Sequence, residues 1–307
     1  MSKELPLIIL NPKSGQGISE QKWASMASLI RTQLGPFECE FTRATGDGIR
    51  LAGEAASAGR KLIIACGGDG TISEVANGIL ASGADAELGL LPGGTGGDFR
   101  RTLGVPAHLG QAASRLKNGS SHLIDVGKLT FVNHDGEEST RYFINTASFG
   151  MSGKVATRAN QSSKTLGGTI TYAAETFRAM LTFDFPEIAL CWDDQPPKRL
   201  KIATVCVANG PSFGGGMRIA PDAKVNDGVF DVVIIGDMKL TQMILNSHRL
   251  YTGSFHSLDR VALTHAKVVS AEPMDSRAEV LLEVDGETPG RLPAKFEIQP
   301  GRLRVRC

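Results

Sequence analysis

Charge of neither sign is in excess along this chain: 33 Lys and Arg stand against 32 Asp and Glu, a formal net of +1 over 307 residues. Aromatics are scarce at 6%, and no Arg/Lys block interleaves with them, which disfavours nucleic acid as a partner. Cysteine is scarce too. Cys39, Cys66, Cys191, Cys206 and Cys307 are odd in number and never spaced C-x-x-C, so neither a disulfide framework nor a zinc site is signalled, and a reducing cytoplasm is the expected home. The six histidines are dispersed without an H-x-x-x-H pair or a Cys neighbour, which again speaks against zinc. Long hydrophobic runs are missing as well. "LPLIIL" near the start is too short for a signal-peptide core, and no window reaches the roughly 20 apolar residues of a membrane span. Any membrane contact is therefore expected to be peripheral, at the inner membrane face. There is no internal repeat and no low-complexity tract.

What is present is glycine, 36 residues of it, in a chain that is 41% hydrophobic and 21% charged, the profile of a turn-rich globular protein. The length suits two domains with a core each, expected at residues 1–125 and 126–307 with a cleft between them. In the first domain short apolar runs alternate with helical patterns. "LPLIILN", "FECEFTR", "KLIIAC" and "AELGLLP" read as strands, and residues 19–34, 48–58 and 71–81 read as helices, which together predict a layered α/β sheet. Ser19 stands as an N-cap and Gly35-Pro36 as a stop; Trp23, Met26, Ala27, Ile30 and Leu34 recur at helical spacing as a core face. From about Leu123 the texture changes to strand runs such as "HLIDVGKLTF", "TRYFINTASF", "EIALCW", "RLKIATVCVAN", "VFDVVIIG", "AEVLLEVDGE" and "AKFEIQP", a mainly antiparallel β domain. Helical patterns interrupt it near residues 164–183 and 240–250.

Three of the first domain's strands end in polar, glycine-rich turns: "NPKSGQG" at 11–17, "GGDGT" at 67–71 and "PGGTGGDF" at 92–99. Glycine lets backbone N–H groups come close to a ligand, a helix N-terminus adds partial positive charge, and the carboxyl ends of strands are where open α/β sheets bind ligands. The set therefore suits phosphate. Thr71 and Glu74 fit a capping box, a plain helix start, whereas Asp69 beside phosphate implies a bridging cation or a ribose hydroxyl. None of the turns matches G-x-x-x-x-G-K-[ST] or a dinucleotide-binding G-x-G-x-x-G.

Taken together, "NPKSG", "GGDGTISEVANG", "LPGGTGGDFRRTLG", "SFGGGMRIAPDAKVNDGVFDV" and "VDGE" followed by "KFEIQPGRLRV" resemble the diacylglycerol kinase catalytic family, which includes sphingosine and ceramide kinases and the soluble bacterial lipid kinases. "GGDG" alone is shared with NAD kinases and phosphofructokinases, but five motifs in family order cover nearly the whole chain. The resemblance implies a nucleotide-binding α/β domain of the NAD kinase and diacylglycerol kinase type, then a mainly antiparallel β domain, with the active site in the cleft between them. It implies ATP and Mg²⁺ as cofactors and a lipid as substrate.

Residue by residue, the resemblance assigns nucleotide contacts to Asn11, Ser14, Gly15, Thr45, Gly67, Gly68, Asp69, Gly70, Thr71, Thr95 and Asp98. For Thr45 a helix cap in "TRATGDG" is an equally good reading. Glu287 is similar to the residue that takes the proton from the lipid hydroxyl, with Asp285 and Asp69 close to the chemistry; read without the family, "VDGE" is a hairpin turn. Asp227 is similar to a magnesium position, joined by carbonyls of Lys224 and Val229 and linked through water to Asp69, Asp98 and Asp125. The family commonly has Asn where this chain has Gly97. "SFGGGM" reads as backbone passing close to the cleft, the 164–183 helix as a lining for lipid chains or for the β domain, and Arg100 and Arg101 as groups for an anionic surface or simply solvated. Two other functions stay open at this point: a soluble-substrate kinase of the NAD kinase type, and a nucleotide-binding regulatory protein without turnover. A homodimer is also left open.

Overall fold

The computed structural model describes residues 5–15, 17–93, 97–161, 184–238 and 240–307. The chain divides into two compact units, Met1–Asp125 with Gly301–Cys307, and Val126–Pro300.

In the first unit, β1 (Leu7–Leu10), β2 (Glu38–Phe41), β3 (Leu62–Gly67) and β4 (Glu87–Pro92) form a parallel sheet in the order β2-β1-β3-β4. Leu7 lies opposite both Glu38 and Ile63, and Ile63 opposite Leu88. The apolar runs of β1 and β3 are buried throughout, as parallel strands covered on both faces require. The covering helices are α1 (Glu20–Leu34), α2 (Asp47–Ser57), α3 (Asp69–Ser82), the short α4 (Asp98–Thr102) and α5 (Leu109–Asn118). Ser19 caps α1 by accepting the Lys22 N–H, and Gly35, at φ 104°, ends it. Trp23 packs edge-on to Phe37 and Phe41, as the core reading of that helix expects.

The boundary expected at 126–307 is corrected at its far end. Residues 301–307 belong to the first unit, because Arg304–Arg306 pair in parallel with Glu87–Gly89 of β4, Arg306 binds Glu87 at 2.6 Å, and the Gly301 N–H donates to the buried Asp125 carboxylate at 2.7 Å.

The second unit is a sandwich of antiparallel strands. One sheet holds β6 (Glu138–Phe143), β8 (Glu187–Trp192), β12 (Val268–Pro273) and the parts of β5 (Ser121–Asn133) and β14 (Gly290–Arg306) between Val126 and Pro300, in the order β8-β12-β14-β5-β6. The other holds β7 (Thr146–Gly150), β10 (Phe230–Gly236), β11 (Val261–Ala266) and β13 (Leu282–Val284) around β9 (Lys198–Ala208). β9 serves both: Lys198–Lys201 pair with β8, and Thr204–Ala208 pair with β7 and β10. Between the sheets Phe143 stacks on Phe230 at 5.4 Å and Phe149 on Phe296 at 5.9 Å, with Leu129, Val205, Val207 and Val232 packed around them.

After β7 comes α6 (Met151–Gln161), and after β10 come α7 (Leu240–Asn246) and α8 (His248–Thr252). The single helix expected over 240–250 is thus two, since the Ser247 carbonyl takes the Leu250 N–H three residues on and the longer-range ladder breaks there. The helical pattern at 164–183 lies outside the described residues. "SFGGGM" folds as a tight reversal within the second unit. Gly214, Gly215 and Gly216 all have positive φ, and Phe213 and Met217 exchange hydrogen bonds at 3.0 Å; a methyl group on Gly215 would meet open space. The glycines make a chain reversal that residues with side chains would strain.

Candidate active site

Because β1 to β4 are parallel, their carboxyl ends share one edge of the first unit, and the order β2-β1-β3-β4 puts the point where the winding reverses between β1 and β3. The two turns there are joined: the Asn11 N–H donates to Cys66 O at 3.2 Å. Asn11 Oδ1 accepts the Lys13 N–H at 2.9 Å and Asn11 O accepts from Ser14, which curls "NPKSG" over the end of β1, with Gly15 at φ 63°. Gly67 ends β3 with Thr71 packed against it; a Cβ on Gly67 would lie 2.4 Å from the Thr71 hydroxyl oxygen. Thr71 is buried, so its expected nucleotide contact is not presented by an exposed side chain, whereas Gly68, Asp69 and Gly70 are half-exposed. Thr45 is exposed in the turn before α2. Thr95 lies outside the described residues.

The capping box expected from Thr71 and Glu74 is not made. Glu74 is buried and its carboxylate accepts the N–H groups of Gly46 and Gly48 at 2.8 and 2.9 Å, capping α2 instead. Asp69 does the same for α4. Its Oδ2 accepts from Gly97 at 2.7 Å and Asp98 at 3.2 Å, and its Oδ1 from Phe99 at 3.2 Å. Asp69 sits on the first turn of α3 yet turns away from it, so the N-terminus of α3 has no side-chain cap and keeps its first N–H groups for another acceptor. Gly97 stands at φ 127°, a conformation that suits glycine better than the family's asparagine. Asp98 is buried and pairs with Arg101, and Arg100 donates to Val105 O at 2.7 Å. Arg101 is exposed and pairs within its own short helix, and Arg100 ties that helix to the chain that follows it.

In the second unit, Val284 and Glu287 exchange backbone hydrogen bonds at 2.8 and 2.9 Å around Asp285 and Gly286, at φ 47° and 90°. This is the two-residue hairpin turn that Asp-Gly favours. The turn reading of "VDGE" is thus what the backbone forms, and Asp285 and Glu287 both stand on it. Asp285 is buried, its carboxylate accepting the consecutive N–H groups of Ile144 (2.9 Å), Asn145 (3.1 Å) and Thr146 (3.0 Å). Those donations split "TRYFINTASF" into two strands, because amides turned toward Asp285 are lost to the ladder. Glu287 is half-buried and pairs with Arg141 at 2.5 Å. Arg141 comes from β6, and no motif in the sequence marks it.

Burial pushes the Asp285 carboxyl up to about 6, against the pull of the three amides and Arg141. Below about pH 4 the group is neutral in the folded and the unfolded chain. As pH rises through about 6 the folded chain loses on the order of 3 kcal/mol relative to that state, since an unfolded aspartate ionises near 3.9. An Asp285→Asn variant carries no such titration. Its stability relative to the native protein is expected to improve by about that amount between pH 4 and pH 7.5 in urea unfolding; a constant difference would contradict the assignment.

For the magnesium position, Asp227 is exposed and its Oδ1 accepts the Val229 N–H at 3.3 Å, folding its own turn. Burial raises the Asp231 carboxyl; His265, 3.4 Å away, opposes the shift, while the nearby Asp227 and Asp222 add to it. Lys224 and Val229 offer only backbone carbonyls. No three His, Cys, Asp or Glu side chains gather into a metal-binding group among the described residues, so a cation at Asp227 would draw on such carbonyls and water. Asp125, buried on the Gly301 N–H, belongs to the first unit and Asp227 to the second.

A parallel α/β unit with glycine-rich strand ends, followed by an antiparallel sandwich with carboxylates on a tight turn, is the architecture of the NAD kinase and diacylglycerol kinase type of phosphotransferase. Family models bear this out: the diacylglycerol kinase catalytic domain matches residues 6–129, and the YegS C-terminal NAD kinase beta sandwich-like domain matches residues 145–307. The chain belongs to the diacylglycerol kinase family. It is 30% identical over 291 residues to the diacylglycerol kinase of Bacillus subtilis (strain 168), covering 94% of this chain and 91% of that one. It is 28% identical to that of Staphylococcus saprophyticus, covering 94% and 90%. A crystal structure of a diacylglycerol kinase from Bacillus anthracis str. Sterne shares the fold, with a TM-score of 0.72 at 22% identity over 99% of this chain and 96% of that one. A second structure from that strain superposes with a TM-score of 0.78 at 25% identity, with the same coverage.

Proposed function

We propose that the protein transfers the γ-phosphoryl group of ATP, with Mg²⁺, to a hydroxyl of a lipid, either diacylglycerol or a related lipid such as a sphingoid base or ceramide. The observation that carries this reading is the Val284–Glu287 turn, which holds two carboxylates in different states of burial in a chain whose relatives are named diacylglycerol kinases. Phosphoryl transfer needs in-line positioning, charge neutralisation and one acceptor for the hydroxyl proton. The lipid oxygen bonds to the γ-phosphorus, the bond from that phosphorus to the bridging oxygen breaks, ADP departs, and Glu287 takes the proton. Arg141 pairs with Glu287 and holds it oriented until then. In the first unit, the uncapped N-terminus of α3 with Gly68 and Gly70, the curled Asn11–Gly15 turn and Thr45 are the groups for nucleotide phosphate and sugar, with Thr95 assigned beside them, and Asp69 holds the start of α4. Mg²⁺ supplies charge neutralisation when bound; Asp227, with carbonyls of Lys224 and Val229, and Asp125 are the residues assigned to it.

No helix among the described residues is long and apolar enough to cross a membrane. We propose that the lipid is reached by peripheral contact from the cytoplasm, with exposed apolar side chains such as Leu245 on α7 and Tyr251 on α8 as candidates for that contact. The test is transfer of labelled γ-phosphate from ATP with Mg²⁺ to diacylglycerol, a sphingoid base and ceramide in mixed micelles, beside NAD and a sample without acceptor. Label in one lipid is the expected result. Label in NAD, a rival suggested by the sandwich's likeness to NAD kinases, or label nowhere despite ATP binding, would overturn the proposal.

A further inference from the structure

The carbonyl side of the peptides that feed Asp285 is held as firmly as the N–H side. The peptide joining Ile144 to Asn145 points its N–H at Asp285 Oδ1, and its carbonyl oxygen accepts the side-chain amide of Asn209 at 2.7 Å. The next peptide, joining Asn145 to Thr146, points its N–H at the same carboxylate oxygen, and its carbonyl accepts the backbone N–H groups of Asn209 and Gly210 at 2.9 and 2.8 Å. A peptide group is planar, so fixing its carbonyl fixes the direction of its N–H. Hydrogen bonding at the carbonyl also polarises the N–H and strengthens what it donates. Asn209 is buried at the end of β9 and reaches both planes.

We infer that Asn209 is a positioning residue whose side chain sets the protonation of Asp285 through the peptide plane joining Ile144 to Asn145. The inference rests on the reading of Asp285 as part of the reacting site, but its first readout does not depend on activity. Burial favours the neutral carboxyl, and the converging amides favour the carboxylate. The charged groups around it are Arg141 on β6, which also favours the carboxylate, Glu287, which is occupied by Arg141, and Glu283 on β13, which is bound to the Ser148 hydroxyl at 2.6 Å and the Gly286 N–H at 2.7 Å. None of these touches the carbonyls of Ile144 or Asn145. Freeing the Ile144 carbonyl therefore loosens the Asn145 donation alone, and the Asp285 carboxyl rises above its already elevated value.

The experiment is a titration of the full-length protein labelled with carboxyl-¹³C aspartate, with the Asp285 signal identified by its loss in Asp285→Asn. In Asn209→Ala the Asp285 midpoint is expected to rise by up to about one pH unit, the limit that complete loss of one donor to a charged group would set. Asn209→Asp, nearly the same size but without the donor and with a negative charge beside the peptide, is expected to move it further. A folded Asn209→Ala protein with an unmoved midpoint overturns the inference. So does failure of both variants to fold, which would make Asn209 a folding residue only. The pH dependence of kcat is the second arm. An acid limb that moves with the midpoint supports the place of Asp285 in the reaction; a moved midpoint with an unmoved limb leaves the positioning role standing and overturns that reading of Asp285.

Discussion

Glu287→Gln is expected to lower kcat by about 10²–10⁴-fold, on the order of 3 to 5 kcal/mol of transition-state stabilisation, while the thermal midpoint and ATP affinity stay close to native. The geometry makes this substitution cleaner than most. The turn is held by backbone bonds between Val284 and Glu287 that a glutamine retains, and the Arg141 guanidinium at 2.5 Å still finds a side-chain oxygen to donate to. What is removed is the capacity to take up a proton. Arg141 occupies one carboxylate oxygen, Oε2, so the other is the one available to a substrate hydroxyl. Single-turnover transfer from labelled ATP, beside calorimetric ATP binding, separates the effects. A variant within about threefold of native in the transfer step would remove Glu287 from the role of base, whatever became of KM.

The elements read most accurately are those whose signal is local. β1, β3 and β4 are short apolar runs stopped by glycine or asparagine, and each was bounded to within a few residues because parallel strands buried on both faces leave no room for polar residues until the sheet ends. β11 and β12 carry weaker signals. Lys267 alone parts them, with none of the turn residues that mark a strand end. The last strand shows the limit most clearly. "KFEIQPGRLRV" runs through a Pro-Gly pair that reads as a terminator, yet β14 continues to Arg306 because its partners are distant: Ser270 and Ala271 at one end, Glu87 to Gly89 at the other. Pairing at that separation leaves no periodic trace, so the return of residues 301–307 to the first unit was out of reach of the sequence alone.

The candidate site divides the same way. Glycines that permit a turn are visible by composition, and the acids among them are visible by contrast, which is how Asp69, Asp285 and Glu287 came to notice. Their partners were not visible. Asp69 answers to amides 28 to 30 residues away, Asp285 to amides about 140 away, and Glu287 to Arg141, 146 residues upstream. Arg141, Asn145 and Asn209 are ordinary residues within strand-like runs, and only the fold makes them neighbours of the turn. Thr71 and Glu74 show the opposite error. They have the right types and spacing for a capping box, but the nearer competitor for Glu74 is the N-terminus of α2, which packs against α3 and offers two N–H groups at once.

Asp69→Ala is expected to weaken ATP binding at least tenfold and to lower stability by on the order of 3 kcal/mol. The carboxylate gathers the N–H groups of Gly97, Asp98 and Phe99, and hydrogen bonds to a charged acceptor each contribute roughly 1.5–3 kcal/mol. The sum is reduced because Asp69 itself is half-exposed, so water entering the space its carboxylate leaves takes up part of the donation. The binding loss follows from geometry. Asp69 draws the start of α4 toward the end of β3, where the Gly67 carbonyl accepts the Gly93 N–H at 3.3 Å. Without that anchor, ordering the start of α4 must be drawn from the nucleotide's own binding energy, and about 1.4 kcal/mol of such cost is a factor of ten in Kd. Asp69→Asn should fall between, since it keeps one acceptor oxygen but turns an NH₂ toward donors. Calorimetric ATP binding and thermal melting read the two effects separately. A fall in stability with unchanged ATP affinity would mean that the start of α4, which Asp69 anchors, lies apart from the nucleotide, and would leave the uncapped N-terminus of α3 and the Asn11–Gly15 turn to hold it.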